Sequence, residues 1–202
     1  MAGRLRHILS FAPLLCFWAL VCACSPVVNL NADLKEYTIH LYLKEYTPQV
    51  NVSIPEYKGK KMCLANIRND ARNTTNFSYY SKDNRVQYLL SNRANTHVQL
   101  IPSFFWYAYQ KAFESVGIET LARCNADIPE VWIIFLSLDE DHVTFKLTLF
   151  ENKEAIFEKE MTVGIPPATD RTPASLQKRG YDLINLTIQT ILNDPGFKAA
   201  FF

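Results

Sequence analysis

Between residues 131 and 163 the sequence spells out three strands joined by two charged turns, and this stretch restricts the chain to folds built on an antiparallel sheet. Residues 131–138 are a continuous apolar run of strand length, the pattern of a central strand covered on both faces. Asp139-Glu140-Asp141-His142 follows as a turn exposed to solvent. Val143, Phe145, Leu147 and Leu149 then alternate with Thr144, Lys146 and Thr148, which is the period of a strand buried on one side. A second turn at 151–154 leads into a third strand at 156–163. After the prolines of a loop, Pro173 opens a helix that runs to residue 192, with Leu176, Leu183, Ile184, Thr187, Ile188 and Ile191 on its inner stripe. Asp194-Pro195-Gly196 ends it. A meander followed by an amphipathic helix belongs to the α+β class.

The segment before the meander adds to both kinds of element. Strands are expected at 37–42, 49–54, 61–67 and 86–90; in the second, Val50, Val52 and Ile54 alternate with polar neighbours. The third runs into a polar, turn-prone segment, Arg68 to Asn73. Pro102 starts a helix over 102–116, because proline is preorganised for a first helical turn. Phe105, Ala108, Ala112, Phe113 and Val116 recur at helical spacing, and Gly117 supplies the stop.

The N-terminus addresses the chain to a compartment. Arg4 and Arg6 precede an apolar run from Ile8 to Leu20, and Val21-Cys22-Ala23-Cys24 closes it. This is the order of a secretory signal; the run is shorter than the ~20 residues that cross a bilayer. A small residue followed by cysteine resembles the bacterial lipobox. That resemblance implies a signal peptide at 1–23, acylation (palmitate among the acyl groups) at Cys24, a tether at 24–36 and one domain at 37–202. Ser25 after the cysteine favours the outer membrane over the inner in a Gram-negative cell. An ordinary cleaved secretion signal is the alternative.

Net charge bears on partners. The chain carries 21 basic and 20 acidic side chains, so nothing electrostatic favours nucleic acid. Outside the leader and Cys24, the cysteines are Cys63 and Cys124. An oxidising compartment allows them to form a disulfide, and two separate buried thiols are equally compatible with the sequence. Asn51, Asn73, Asn76 and Asn185 stand in glycosylation sequons, which matter only if the chain is a eukaryotic secreted glycoprotein.

Catalytic patterns are missing from the sequence. His40, His97 and His142 are scattered, and no Gly-x-Ser-x-Gly, His-Glu-x-x-His or Cys-x-x-Cys is present. No catalytic residue, metal ligand or cofactor is therefore expected, and the chain reads as a non-enzyme. A small extracytoplasmic hydrolase using Asp70 and His97 is the competing reading, against a plain surface ion pair between Asp70 and its arginine neighbours. Aromatic residues are dense instead: nine fall between Phe77 and Tyr109. Aromatic side chains dominate binding interfaces. Trp106 lies about 100° round the helix from Phe105, so it is expected to form a partly exposed partner-binding patch with Tyr79 or Tyr80.

Several of these segments coincide with a known layout. They are the lipobox, the polar segment Asn69–Arg72, Tyr79-Tyr80, Arg85-Val86-Gln87-Tyr88, the helix start from Ile101-Pro102-Ser103 to Trp106, the helix end Val116-Gly117 and the meander. Together, and apart from the lipobox over most of residues 49–192, they resemble the auxiliary lipoproteins of bacterial ABC-type lipid transport systems and the related YajG-type lipoproteins. The resemblance implies an antiparallel sheet with two main helices on one face. It also implies a non-catalytic accessory role in an envelope transport complex, with a protein partner and lipid as ligands.

Overall fold

The computed structural model describes residues 37–52, 54–91 and 98–202. The leader, the tether, Cys24 and His97 lie outside the described residues. In chain order the elements are β1 (Tyr37–Tyr42), α1 (Ile54–Tyr57), β2 (Lys61–Asn69), β3 (Ser78–Tyr80), β4 (Val86–Ser91), α2 (Ile101–Ser115), β5 (Glu119–Leu121), β6 (Glu130–Leu138), β7 (His142–Glu151), β8 (Glu154–Gly164), α3 (Pro173–Asn193) and α4 (Pro195–Phe201). The fold is α+β, as the meander and the two long helices require.

The strands form two sheets, ordered β1-β4-β3 and β5-β2-β6-β7-β8. The meander is antiparallel, but β2 runs parallel to both β5 and β6, and β1 runs parallel to β4. The sheets are therefore mixed, where sequence reading anticipated one antiparallel sheet. Crossover connections of this kind carry no local turn signal, which is why the pairing escaped it.

Cross-strand register explains the core. Val131 faces Leu149, Ile133 faces Leu147, Phe135 faces Phe145 and Leu138 faces Val143, so four buried pairs line one face. On β8, Met161 and Val163 continue that face opposite Phe145 and Val143. Helices α2 and α3 pack there, with Phe104, Phe105, Tyr109 and Phe113 of α2 buried. Between the neighbouring helix α3 and strand β1 the approach is close: a Cβ on Gly180 would stand 2.8 Å from Leu41. Among the described residues, no helix packs on the opposite face of the five-stranded sheet. Trp132 and Ile134 are half-buried there and Leu136 is 38% exposed. Among the described residues, helices thus cover the run 131–138 on one face, where sequence reading expected cover on both.

Strand β2 contains a bulge, with a register shift between Leu64 and Asn66. The β7–β8 hairpin turns on Asn152 and Lys153, with φ of 50° and 70°, the left-handed pair a two-residue hairpin demands. Asp194-Pro195-Gly196 ends α3 as expected, with Asp194 as its C-cap, and the same residue caps a further short helix, α4, by accepting the N–H of Phe197. Among the described residues of the expected strand 49–54, residues 49–52 form no strand and Ile54 opens α1. Tyr57 of α1 is buried and its hydroxyl donates to the carbonyl of Leu192, which turns this segment inward onto the end of α3.

Candidate functional site

Strand β2 outruns its neighbour. β5 pairs only with Lys61 to Cys63, while β2 continues to Asn69. The cause is a disulfide: Cys124, three residues beyond the end of β5, is bonded to Cys63, with Cα atoms 5.3 Å apart. The bond draws the chain back before it can run on along β2. Past Cys63, that edge of β2 faces the N-terminal half of α2.

The backbone's direction at this edge is set by its hydrogen bonds. The N–H of Cys63 donates to the Pro129 carbonyl leading into β6, and Glu119 on β5 donates to Lys60. Odd positions thus face β6 and even ones face outward. The bulge reverses this phase, since Asp70 N–H reaches Phe135 of β6. Leu64, Ile67 and Asn69 therefore present their backbone polar groups to the outer edge. The Leu64 carbonyl accepts a 2.6 Å hydrogen bond from Trp106 Nε1. Trp106 is half-buried and meets Tyr107 edge to face at 5.0 Å, and Tyr107 is 44% exposed. Beside them lies an open groove of about 370 Å³, lined by Ala65–Ile67 on the strand and by Pro102, Ser103, Trp106 and Tyr107 on the helix.

The expected companions of Trp106 are elsewhere. Tyr79 is 1% exposed and stacks on Tyr88, its partner across the β3–β4 ladder, at 4.7 Å and 4°. Burial drives its phenol pKa well above the ordinary value. Tyr79 is core and not a binding residue. Strand alternation sends Tyr80 to the other side of β3, where it is half-buried and its hydroxyl accepts from Gln87 Nε2 at 3.0 Å. Tyr107, at the exposed end of the groove, was the residue that sequence reasoning passed over; its position one step from Trp106 on the same helix was the available signal.

The other sequence candidates have plain surroundings. Asp70 pairs with Arg68 at 2.6 Å on the surface. His40 is exposed and stacks on Tyr42 at 5.6 Å. Asn185 is only 7% exposed and accepts hydrogen bonds from Tyr46 and Gln49. Asn73 donates to the Tyr80 and Ser81 carbonyls. A glycan on Asn185 is incompatible with this packing.

The carboxylates of the 139–142 turn are shielded from solvent, although His142 is partly exposed, because Glu140 and Asp141 have partners far away in sequence. Asp139 and Glu140 are buried. Asp139 accepts the N–H groups of Asp141 and His142 at 2.8 Å each. Glu140 pairs with Arg171 at 3.2 Å, and Asp141 pairs with Arg179 of α3. Burial raises the Glu140 pKa, against the pull of Arg171. These ion pairs fasten the β6–β7 turn to the start of α3. Their separations of 31 and 38 residues left no local trace in the sequence.

No family model matches the sequence and no curated protein matches it. Among solved structures, the chain is similar to protein XCC0632 from Xanthomonas campestris, described by the family model DUF330. The TM-score is 0.51 at 12% identity, over 81% of this chain and 95% of that one. A crystal structure of an uncharacterized protein aligns with a TM-score of 0.43 at 9% identity, over 78% of this chain and 100% of the other. At 12% identity, the likeness to the Xanthomonas protein shows a shared fold.

Proposed function

We propose that this chain is a lipid-anchored, non-catalytic binding domain of a bacterial cell envelope. In this reading it serves as an accessory component of a transport or assembly complex on the periplasmic face of the outer membrane. The binding role is carried by the aromatic ledge of Trp106 and Tyr107 at the open groove. Trp106 is fixed by its bond to Leu64, and rigid aromatic surface loses little entropy when it meets a partner. The anchor rests on the leader ending at Cys24. The fold shared with the Xanthomonas protein supports the α+β framework and leaves partner and lipid to experiment.

The anchor is tested by expressing the full chain in a Gram-negative host, with and without globomycin, and weighing the mature N-terminus. Diacyl or triacyl mass on Cys24, with accumulation of precursor under globomycin and in Cys24→Ala, is the expected result. An unacylated mature chain overturns the anchor.

A further inference from the structure

We infer that the outer edge of β2 between Leu64 and Asn69 is a strand-addition site, which takes an extended segment of a partner protein as an extra strand. The inference deepens the binding role proposed above and rests on it. Its basis is the shape of the edge. β5 occupies that edge only as far as Cys63, and the disulfide keeps it from going further. Beyond that point, among the described residues, no strand pairs with the edge. The bulge directs the Ile67 N–H and C=O outward. A row of backbone donors and acceptors at a sheet edge is complementary to another extended backbone and to little else.

Helix α2 shapes what can enter. Its Pro102, Ser103, Trp106 and Tyr107 form the far wall of the groove, so an incoming strand is held between the β2 edge and an aromatic surface. Trp106 already satisfies the Leu64 carbonyl. It stands where the first residue of an added strand would pair, which blunts the edge against unspecific association. The segment is therefore short, with about four residues paired at 3.3 Å each. Every second side chain of the segment points at the indole and phenol rings, so an aliphatic residue or proline is favoured there. Specificity comes from those alternate positions and affinity from the backbone.

The test uses the purified full chain and a phage-displayed library of random twelve-residue peptides, with selected peptides then synthesised. Three results are expected. Binding protects the Ile67 and Asn69 amides from hydrogen exchange. N-methylation at alternate amides of the peptide weakens binding tenfold or more, while N-methylation at the intervening ones does not. Ser103→Trp, which fills the groove, weakens binding at least tenfold; Tyr107→Ala, at an exposed position that does not endanger folding, weakens it several-fold. Failure to select any peptide overturns the inference. So does a peptide whose binding ignores the N-methylation pattern, as a helix or an unstructured apolar ligand would give. The acyl mass on Cys24 is read on the same preparation. A chain that binds peptides without acylation overturns the anchor alone, and an acylated chain that binds none overturns the strand-addition site alone.

Discussion

Reduction of the Cys63–Cys124 disulfide is the perturbation whose size can be worked most directly. The bond closes a loop with a sequence separation of 61. In the chain-entropy treatment, closing a loop of that size removes about 4 kcal/mol of freedom from the unfolded chain. Cys63 is fully buried, whereas Cys124 lies on the exposed loop between β5 and β6, so a small thiol reaches the bond from the Cys124 side. Once reduced, β5 is held to β2 by only three register pairs. We expect the oxidised protein to exceed the reduced one by about 4 kcal/mol in urea unfolding, with little change in the native circular dichroism. In thermal melts this corresponds to roughly 8–16 °C for a domain of this size. A Cys63→Ala/Cys124→Ala chain controls for chemistry at the thiols and should lose slightly more, through the space left at Cys63. A difference below about 1 kcal/mol between oxidised and reduced forms would refute the reasoning, since the loop would then be closed by other contacts in the unfolded chain.

Phe113→Ala should cost about 3–5 kcal/mol in chemical denaturation, because Phe113 is fully buried in α2 and its loss leaves a cavity; Trp106→Phe should cost only about 1 kcal/mol, the worth of its bond to Leu64. Lys153→Gly should raise stability by about 0.5–1 kcal/mol, since glycine relieves a left-handed position that lysine occupies at φ 70°. Asp194 is partly desolvated, which works to raise its pKa, but the hydrogen bonds from Lys159 and from the Phe197 N–H outweigh this and hold it below its ordinary value. Its contribution is therefore present above the unfolded value near 3.8 and lost as pH falls through the folded one; Asp194→Asn should flatten the acid limb of a stability–pH curve. Glu140 has the opposite sign, because its raised pKa favours the protonated form in the native state. Wild type and Glu140→Gln should match most closely in acid, and the variant should gain relative to wild type as pH rises towards neutral.

What the sequence made legible was whatever depends on near neighbours. The alternation at 143–149 and the helical stripes of α2 and α3 are local patterns, and all the stripe residues named from them are buried. Pairings that join distant segments were hidden. The parallel partners of β2, the three-residue strands β3 and β5, and the ion pairs of the 139–142 turn all depend on groups far from them along the chain. Tyr79 and Tyr80 show the same limit at the candidate site. Two adjacent tyrosines on a strand must face opposite ways, but which of them meets the core is decided by Tyr88 across the ladder. At 49–54 the alternation was present and tertiary packing overrode it, because Tyr57 found its acceptor on α3.

The extra residue in β2 also gives this strand a position that it can lose. Before it, Met62 and Leu64 point to the helices; after it, Ile67 does. Deleting Ala65, the residue without a partner on β6, would restore an unbroken two-residue period in which Leu64 and Ile67 still point inward and Asn66 and Arg68 outward, with the same backbone groups at the edge. A single-residue loss here is therefore absorbed by straightening the strand, whereas a second loss would turn Ile67 and every later position to the opposite face. Descendants of this chain should thus vary freely in the length of the 122–129 loop, and between Leu64 and Ile67 should keep either two residues or one, never none.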